Sequence, residues 1–383
     1  MKGEVMRKKK MQLALAAVLS VSLIALAGCS APEESGKPSD DAVVKLTVVH
    51  PYATPSAASA GDALDAIGIK YGFFEEEGIE IVPQYADGST AAVQALLSGS
   101  ADISAVELAA GINAGSKGIP LTVLGSAVVN WPWKMSTLEG SPIADPKDLK
   151  GQRIGVISLA SGSYTYTKGF LNAVGLSEAD VEIIPVGTGP AAIDAISQDK
   201  VDVLALYDAV YAQMVLAAPD LKLAYIPNPK MFDEVVSLVH TASGATLEKK
   251  SDAIRGYLRA YAKALVFAGT NPEAAALASW ELNPSLLGDK SAKDTLPAAA
   301  KSILAYVDSA MPRNSKPEDW RPGSIGDISK AQWNATNKYL IGSGLVEKAA
   351  DMDSMVDLRF IEAFGDFDFA SIVKLAKSAP REP

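Results

Sequence analysis

Chemistry needs a reactive group with a partner, and this sequence offers few of either. It contains two histidines, His50 and His240, and one cysteine, Cys29. Acyl transfer wants a nucleophile beside a positioned base, and no G-x-S-x-G elbow occurs. No H-E-x-x-H or paired-cysteine spacing points to zinc. Gly187-Thr188-Gly189-Pro190-Ala191-Ala192 has the outline of a dinucleotide-binding turn, with Asp208 about 20 residues further on. Its counterpart earlier in the chain, Asp87-Gly88-Ser89-Thr90, lacks the pattern. The turn is therefore read as backbone N–H groups offered to a ligand, with no cofactor and no metal.

What remains is the chemistry of binding. Tyr52–Gly61, which carries Tyr52, Thr54 and Ser56, is a loop of small and hydroxyl residues ahead of a helix. Ser158–Thr167, with Ser161, Ser163 and Tyr164, is its counterpart. Helix starts of this kind offer free N–H groups to carbonyl or anionic oxygens. Thr188 adds a hydroxyl in the glycine turn. Glu107, Tyr207 and Asp208 lie just past strand ends, where open α/β sheets bind ligands. Carboxylates there either accept an N–H donor of a ligand or cap a neighbouring helix. Trp131, in Asn130-Trp131-Pro132-Trp133, is either a core wedge or an aromatic wall. His50 could line the same cleft, whereas His240 reads as a satisfied histidine at a strand end.

A duplication positions these residues. Ile79–Ile103 and, about 100 residues later, Val181–Val203 share one pattern. Glu80, Ile81 and Pro83 fall on Glu182, Ile183 and Pro185; Ala91, Ala92, Ala95 and Asp102 fall on Ala191, Ala192, Ala195 and Asp202. Each copy reads as a β-branched strand, a glycine-containing loop, an amphipathic helix and a second strand. The same offset sets Glu107 on Tyr207 and Leu108 on Asp208, so the two positions are expected to face each other across one cleft.

Arg7-Lys8-Lys9-Lys10 followed by the apolar run Met11–Ala27 has the form of an export signal, residues 1–28. Leu26-Ala27-Gly28-Cys29 resembles the lipobox of bacterial lipoproteins, which makes Cys29 the expected site of lipidation. Without residues 1–28 the chain keeps 30 basic and 44 acidic side chains, a net charge of −14. Such a surface repels nucleic acid. Residues 29–42 are polar and rich in proline and serine, a tether holding the rest off a membrane.

Further on, Lys70-Tyr71-Gly72-Phe73-Phe74-Glu75-Glu76-Glu77-Gly78-Ile79 resembles the signature of solute-binding proteins of ABC importers, in the nitrate/sulfonate/taurine and thiamine-pyrimidine-precursor group. Ala95–Ile103, Ala114–Pro120 and Ile143–Val156 match further elements of that group in order and spacing. The resemblance implies an α/β, periplasmic-binding-protein-like (type II) fold: two lobes of mixed sheet flanked by helices, linked by a hinge. Lobe 1 is expected to comprise 43–130 plus 231–383, with a helical C-terminal part packed around it, and lobe 2 to comprise 131–230. Phe73 and Phe74 read as core and Glu75–Glu77 as a solvated run. Arg255, Arg259 and Lys263 read as the outer face of a long helix. The implied function is capture of a small organic solute, ring-containing and amine-bearing or a sulfonate-type anion, by a lipid-anchored extracytoplasmic monomer. The implied partners are an ABC permease and ATPase. Two other readings stay open: a pyrimidine-synthase-like enzyme on the same fold, and a receptor reporting to a membrane sensor.

Overall fold

The structure, a computed structural model, describes residues 43–55, 59–116, 121–312 and 315–383. Cys29, the signal and tether segments, and Ser56 lie outside the described residues. The chain begins with β1 (Val44–His50), α1 (Ala60–Lys70), β2 (Ile79–Tyr85), α2 (Gly88–Ser98), β3 (Ser104–Glu107), α3 (Leu108–Ser116) and β4 (Leu121–Val128). It continues through β5 (Trp133–Leu138), β6 (Arg153–Val156), α4 (Gly162–Ala173), β7 (Glu182–Pro185), α5 (Pro190–Ser197), β8 (Val203–Tyr207), α6 (Asp208–Ala217) and β9 (Leu223–Ile226). Next come β10 (Leu238–Ser243), α7 (Gly244–Thr270), α8 (Pro272–Leu282), α9 (Ala292–Ala310) and α10 (Lys330–Gly342).

The duplication is visible in the sheets. The later strands form one sheet in the order β7-β6-β8-β5-β9. The others pair as β2-β1 and β3-β10-β4, and a bridge from Val48 to Ile103 with a Val49 N–H bond to the Ile103 carbonyl (3.0 Å) ties β1 to the start of β3. Both halves thus run in the same order. β1 is parallel to β2, and β6 is parallel to β7 and β8. In each half the one antiparallel partner, β10 or β5, has arrived from the other half. Two crossings join them, residues 129–132 and the longer stretch between β9 and β10. Tyr225 sits in edge strand β9 against β5.

The repeated aspartate has a physical cause. Asp102 accepts the Thr47 N–H (2.8 Å) while its own N–H reaches the Thr47 carbonyl (2.8 Å). Asp202 does the same at Arg153, accepting that N–H at 2.8 Å and returning its own at 2.9 Å. Each carboxylate satisfies a backbone donor at the edge of a parallel ladder and is then paired with a cation, Lys250 or Arg153. A residue in that role is chosen by chemistry rather than by size, so it survives in both copies.

The first core gathers Phe73, Phe74, Leu46 and Ile67 with α7, α8, α9 and the C-terminal helix Phe369–Ser378. The long helix does not show a purely solvated outer face. Arg259 grips Glu77 (2.8 Å), and Lys263, only 8% exposed, reaches Glu76 (2.7 Å). The glutamate run is in part the counter-charge of that helix. Nor does the tail keep to the first half. Trp333, Tyr339 and Leu340 of α10 join Trp133, Tyr166, Phe170 and Phe232 in a second core, and Gln213 of α6 bonds Ser302 of α9 (2.9 Å).

His240 also departs from expectation. It lies inside β10, buried among Tyr261 (4.5 Å), Phe364 (5.5 Å) and Tyr257 (6.4 Å), and neither ring nitrogen has a hydrogen-bond partner. Burial lowers its pKa to about 3. The unfolded chain takes a proton here below the ordinary 6.5, which the folded chain refuses until about 3. Stability held above pH 6.5 is therefore lost as pH falls toward 3. His240→Leu is expected to melt above wild type at pH 4 by a wider margin than at pH 8, in thermal scans.

Candidate functional site

The ends of the two third strands converge. Glu107 closes β3 and Tyr207 closes β8; Trp133, paired with Tyr207 across β5 and β8, lies between them. The Trp133 and Tyr207 rings meet edge to face at 5.4 Å. Ser237 donates a long hydrogen bond to the Glu107 carboxylate (3.4 Å) and receives one from the Trp133 indole N–H (3.3 Å). Burial pushes the Glu107 carboxyl up to about 8, with Ser237 and Trp133 holding it partly down. At neutral pH it is mostly a neutral acid, able to donate as well as accept. Burial likewise raises the Tyr207 phenol to about 12, so it remains a donor.

Glycines let the halves touch. A methyl group on Gly162, the first residue of α4, would lie 2.5 Å from Glu107 Oε1 and 2.7 Å from Trp133 Cζ2. One on Gly88, which opens α2 at φ +82°, would run into the Ala160 carbonyl. Beside it the Ser158 hydroxyl donates to Asp87 (3.3 Å). The loop ahead of α2 thus seats on the loop ahead of α4.

An aromatic wall stands behind this junction. Trp131 packs on Phe232 (4.7 Å), Tyr339 (5.6 Å) and Tyr166 (5.9 Å). Among these residues lies a cavity of about 10 Å³ lined by Glu107, Trp131, Gly162, Tyr166, Val235 and Tyr339, among others. Two of these lining residues carry a polar atom that is buried without a hydrogen-bond partner, Trp131 Nε1 and the Tyr339 hydroxyl.

The other residues singled out by the sequence do not all reach this point. Tyr52 stacks on His50 (5.2 Å) and accepts from Ser59 (3.0 Å). His50 is held below it by Asp65 (2.7 Å); burial lowers its pKa, but Asp65 outweighs that and leaves it raised. Thr54 and Thr188 are exposed on their loops. Ser161 bonds back to the Ser158 carbonyl (2.7 Å) and does not cap α4. Ser163 turns inward, donating to the Ala205 carbonyl (2.6 Å) and accepting from Ile157 N–H (3.1 Å). Tyr164 turns to Glu178 (2.6 Å) and lies under Lys168. Asp208 pairs with Lys134 (2.6 Å). Burial raises its pKa and the lysine pulls it back in part.

Ser163 is thus a tie between β6 and β8, which gives a prediction. Ser163→Ala leaves a buried N–H and carbonyl short of a partner and should cost about 1–3 kcal/mol in urea melts. Ligand affinity should stay within about twofold.

Sequence reasoning missed Ser237 and Tyr339. Ser237 precedes β10 and has no local motif; Tyr339 lies on a helix whose apolar stripe does not say which core it joins. Gly162 carries no sequence signal beyond its place in the Ser158–Thr167 stretch. Among the described residues no cluster of His, Cys, Asp and Glu could hold a metal ion.

Two sheets of like order, exchanging one antiparallel strand each and meeting at their strand ends, form the periplasmic-binding-protein fold. The E. coli aliphatic sulphonate binding protein SsuA has it: TM-score 0.60 at 18% identity, covering 83% of this chain and 99% of that one. SsuA from Xanthomonas axonopodis pv. citri, solved with MOPS bound, gives 0.59 at 18%, covering 82% and 98%. Residues 66–275 match the NMT1/THI5-like family model. The chain belongs to that family. It is also similar to the riboflavin-binding protein RibY of Chloroflexus aurantiacus, 22% identical over 358 residues, which cover 88% of this chain and 95% of RibY.

Proposed function

We propose that this protein is an extracytoplasmic substrate-binding lipoprotein, lipidated at Cys29, that captures a small ring-containing solute between two lobes and delivers it to an ABC permease and ATPase. Lobe 1 comprises 43–130 and 231–383, and lobe 2 comprises 131–230. The observation carrying this reading is the convergence of Glu107, Tyr207 and the Trp131–Trp133 pair where the two halves meet. Flat rings there favour stacking on a flat ligand, and the neutral acid and phenol favour a polar, uncharged edge. The likeness to RibY, a riboflavin binder by name, supports a ring-bearing ligand; the likeness to SsuA keeps sulfonates on the list. No helix among the described residues is long and apolar enough to cross a membrane. An enzyme resembling the pyrimidine synthases would need a reactive cysteine, and Cys29 is the chain's only one.

Calorimetry against riboflavin, uracil, taurine, propane-1-sulfonate and nitrate tests the reading. Heat from a ring compound, lost on Tyr207→Ala, is expected. Tight nitrate or sulfonate binding that survives Glu107→Ala and Tyr207→Ala would overturn the preference for a ring.

A further inference from the structure

The cavity beside Glu107 is too small for a ring. At about 10 Å³ it admits one water-sized atom. Two of its lining residues are nevertheless specific in what they can bond. The Trp131 indole N–H can only donate, and it is buried with no partner. The Tyr339 hydroxyl is equally unpartnered, on a residue only 2% exposed. That hydroxyl abuts Gly169 of α4, where a methyl group would collide with it. Among the described residues no arginine, lysine or histidine lines the space. Leaving two buried donors unmet is costly, and an acceptor atom projecting from a bound ligand would meet both.

We propose that Trp131 N–H and Tyr339 O–H together read an uncharged acceptor on the solute, a ring carbonyl oxygen or imine nitrogen, which makes Tyr339 a specificity-determining residue of the cleft. This rests on the solute-capture reading above. A carbonyl oxygen is about the size of the water it would replace, and it satisfies both donors without bringing a charge into an apolar space. Glu107, on the same wall, supplies the complementary group for an N–H next to that carbonyl. The ring itself would remain outside, against Trp133 and Tyr207. Tyr339 lies beyond residues 66–275, the part matching the family model. Helix α10 therefore adds to the cleft a reader that lies outside the matched part of the family model.

The test uses the full chain, wild type and Tyr339→Phe, with riboflavin, uracil and propane-1-sulfonate as probes. Phenylalanine keeps the ring packing and deletes only an unpartnered buried hydroxyl, so the variant should melt no lower than wild type. The expected result is binding of a carbonyl heterocycle by wild type and a loss of about tenfold or more in Tyr339→Phe. In parallel the Trp131 indole proton, assigned in NMR spectra by its absence in Trp131→Phe, should move downfield on ligand addition. Equal affinity in both proteins, or a preference for propane-1-sulfonate, overturns the inference and leaves solute capture standing. If none of the three probes binds wild type, the solute-capture reading falls and the inference falls with it.

Discussion

Trp131→Ala is expected to abolish solute capture and to lower the unfolding free energy by about 3–5 kcal/mol. The indole sits in the first crossing between the halves and packs on Phe232 at 4.7 Å, with Tyr166 and Tyr339 around it. Removing it opens a hole in a rigid aromatic cluster that cannot collapse without shifting α4 or α10. The stability part is read in urea melts and the capture part in equilibrium binding. Trp131→Phe should recover most of the stability and little of the binding, because it fills the hole and offers no N–H. A Trp131→Ala protein that melts with wild type would show the cluster to be loosely packed. One that still binds with wild-type affinity would remove the aromatic wall from the account.

The second large effect is a pH dependence. Glu107 titrates near 8 in the folded chain against an ordinary 4.5, because burial penalises its charge. Between those values the folded form keeps a proton that the unfolded form releases. Stability is therefore greatest below pH 4.5, falls as pH rises toward 8, and levels off above it. Glu107→Gln keeps a neutral group of the same shape at every pH. The variant should match wild type near pH 4 and melt higher at pH 9, by roughly 4 °C. His240 has the opposite sign and acts at the acid end, so the two contributions separate in a series of melts from pH 4 to 9. A Glu107→Gln curve parallel to wild type throughout would mean that the carboxyl is ionised and solvated in the folded state. The same proton bears on the ligand. Glu107 is the acceptor for an N–H beside the ring carbonyl, and a carboxylate accepts more strongly than the neutral acid, so affinity for such a ring should hold or rise above pH 8.

Much of the architecture was legible because duplication writes the same physics twice. Asp102 and Asp202 were aligned from letters alone, and each proved to serve the same backbone N–H at a strand edge. The pairing of Glu107 with Tyr207 followed from that offset, and both lie against Trp133. Side-chain direction was less legible. Ser163 and Tyr164 are adjacent in a hydroxyl-rich loop, yet one points into the β6–β8 layer and the other to Glu178. A helix start sends neighbouring side chains to different faces, and composition does not reveal which face meets the cleft. Lys263 was misread for a related reason: a lysine at a core-facing position is tolerated when Glu76 reaches it. Tyr339 was illegible because its partners, Trp131 and Phe232, come from distant parts of the chain, and no periodicity encodes a long-range choice of partner.

The central claim is that one solute sits where the halves meet, against Trp131 and its neighbours. The most direct measurement is mass spectrometry of small molecules released on denaturing the purified protein after exposure to growth-medium extract and washing, with Trp131→Ala treated alongside. The account predicts a ring-containing compound, near one per chain, from wild type and none from the variant. Recovery of the same compound in equal amount from both proteins, or of nothing from wild type, would contradict it.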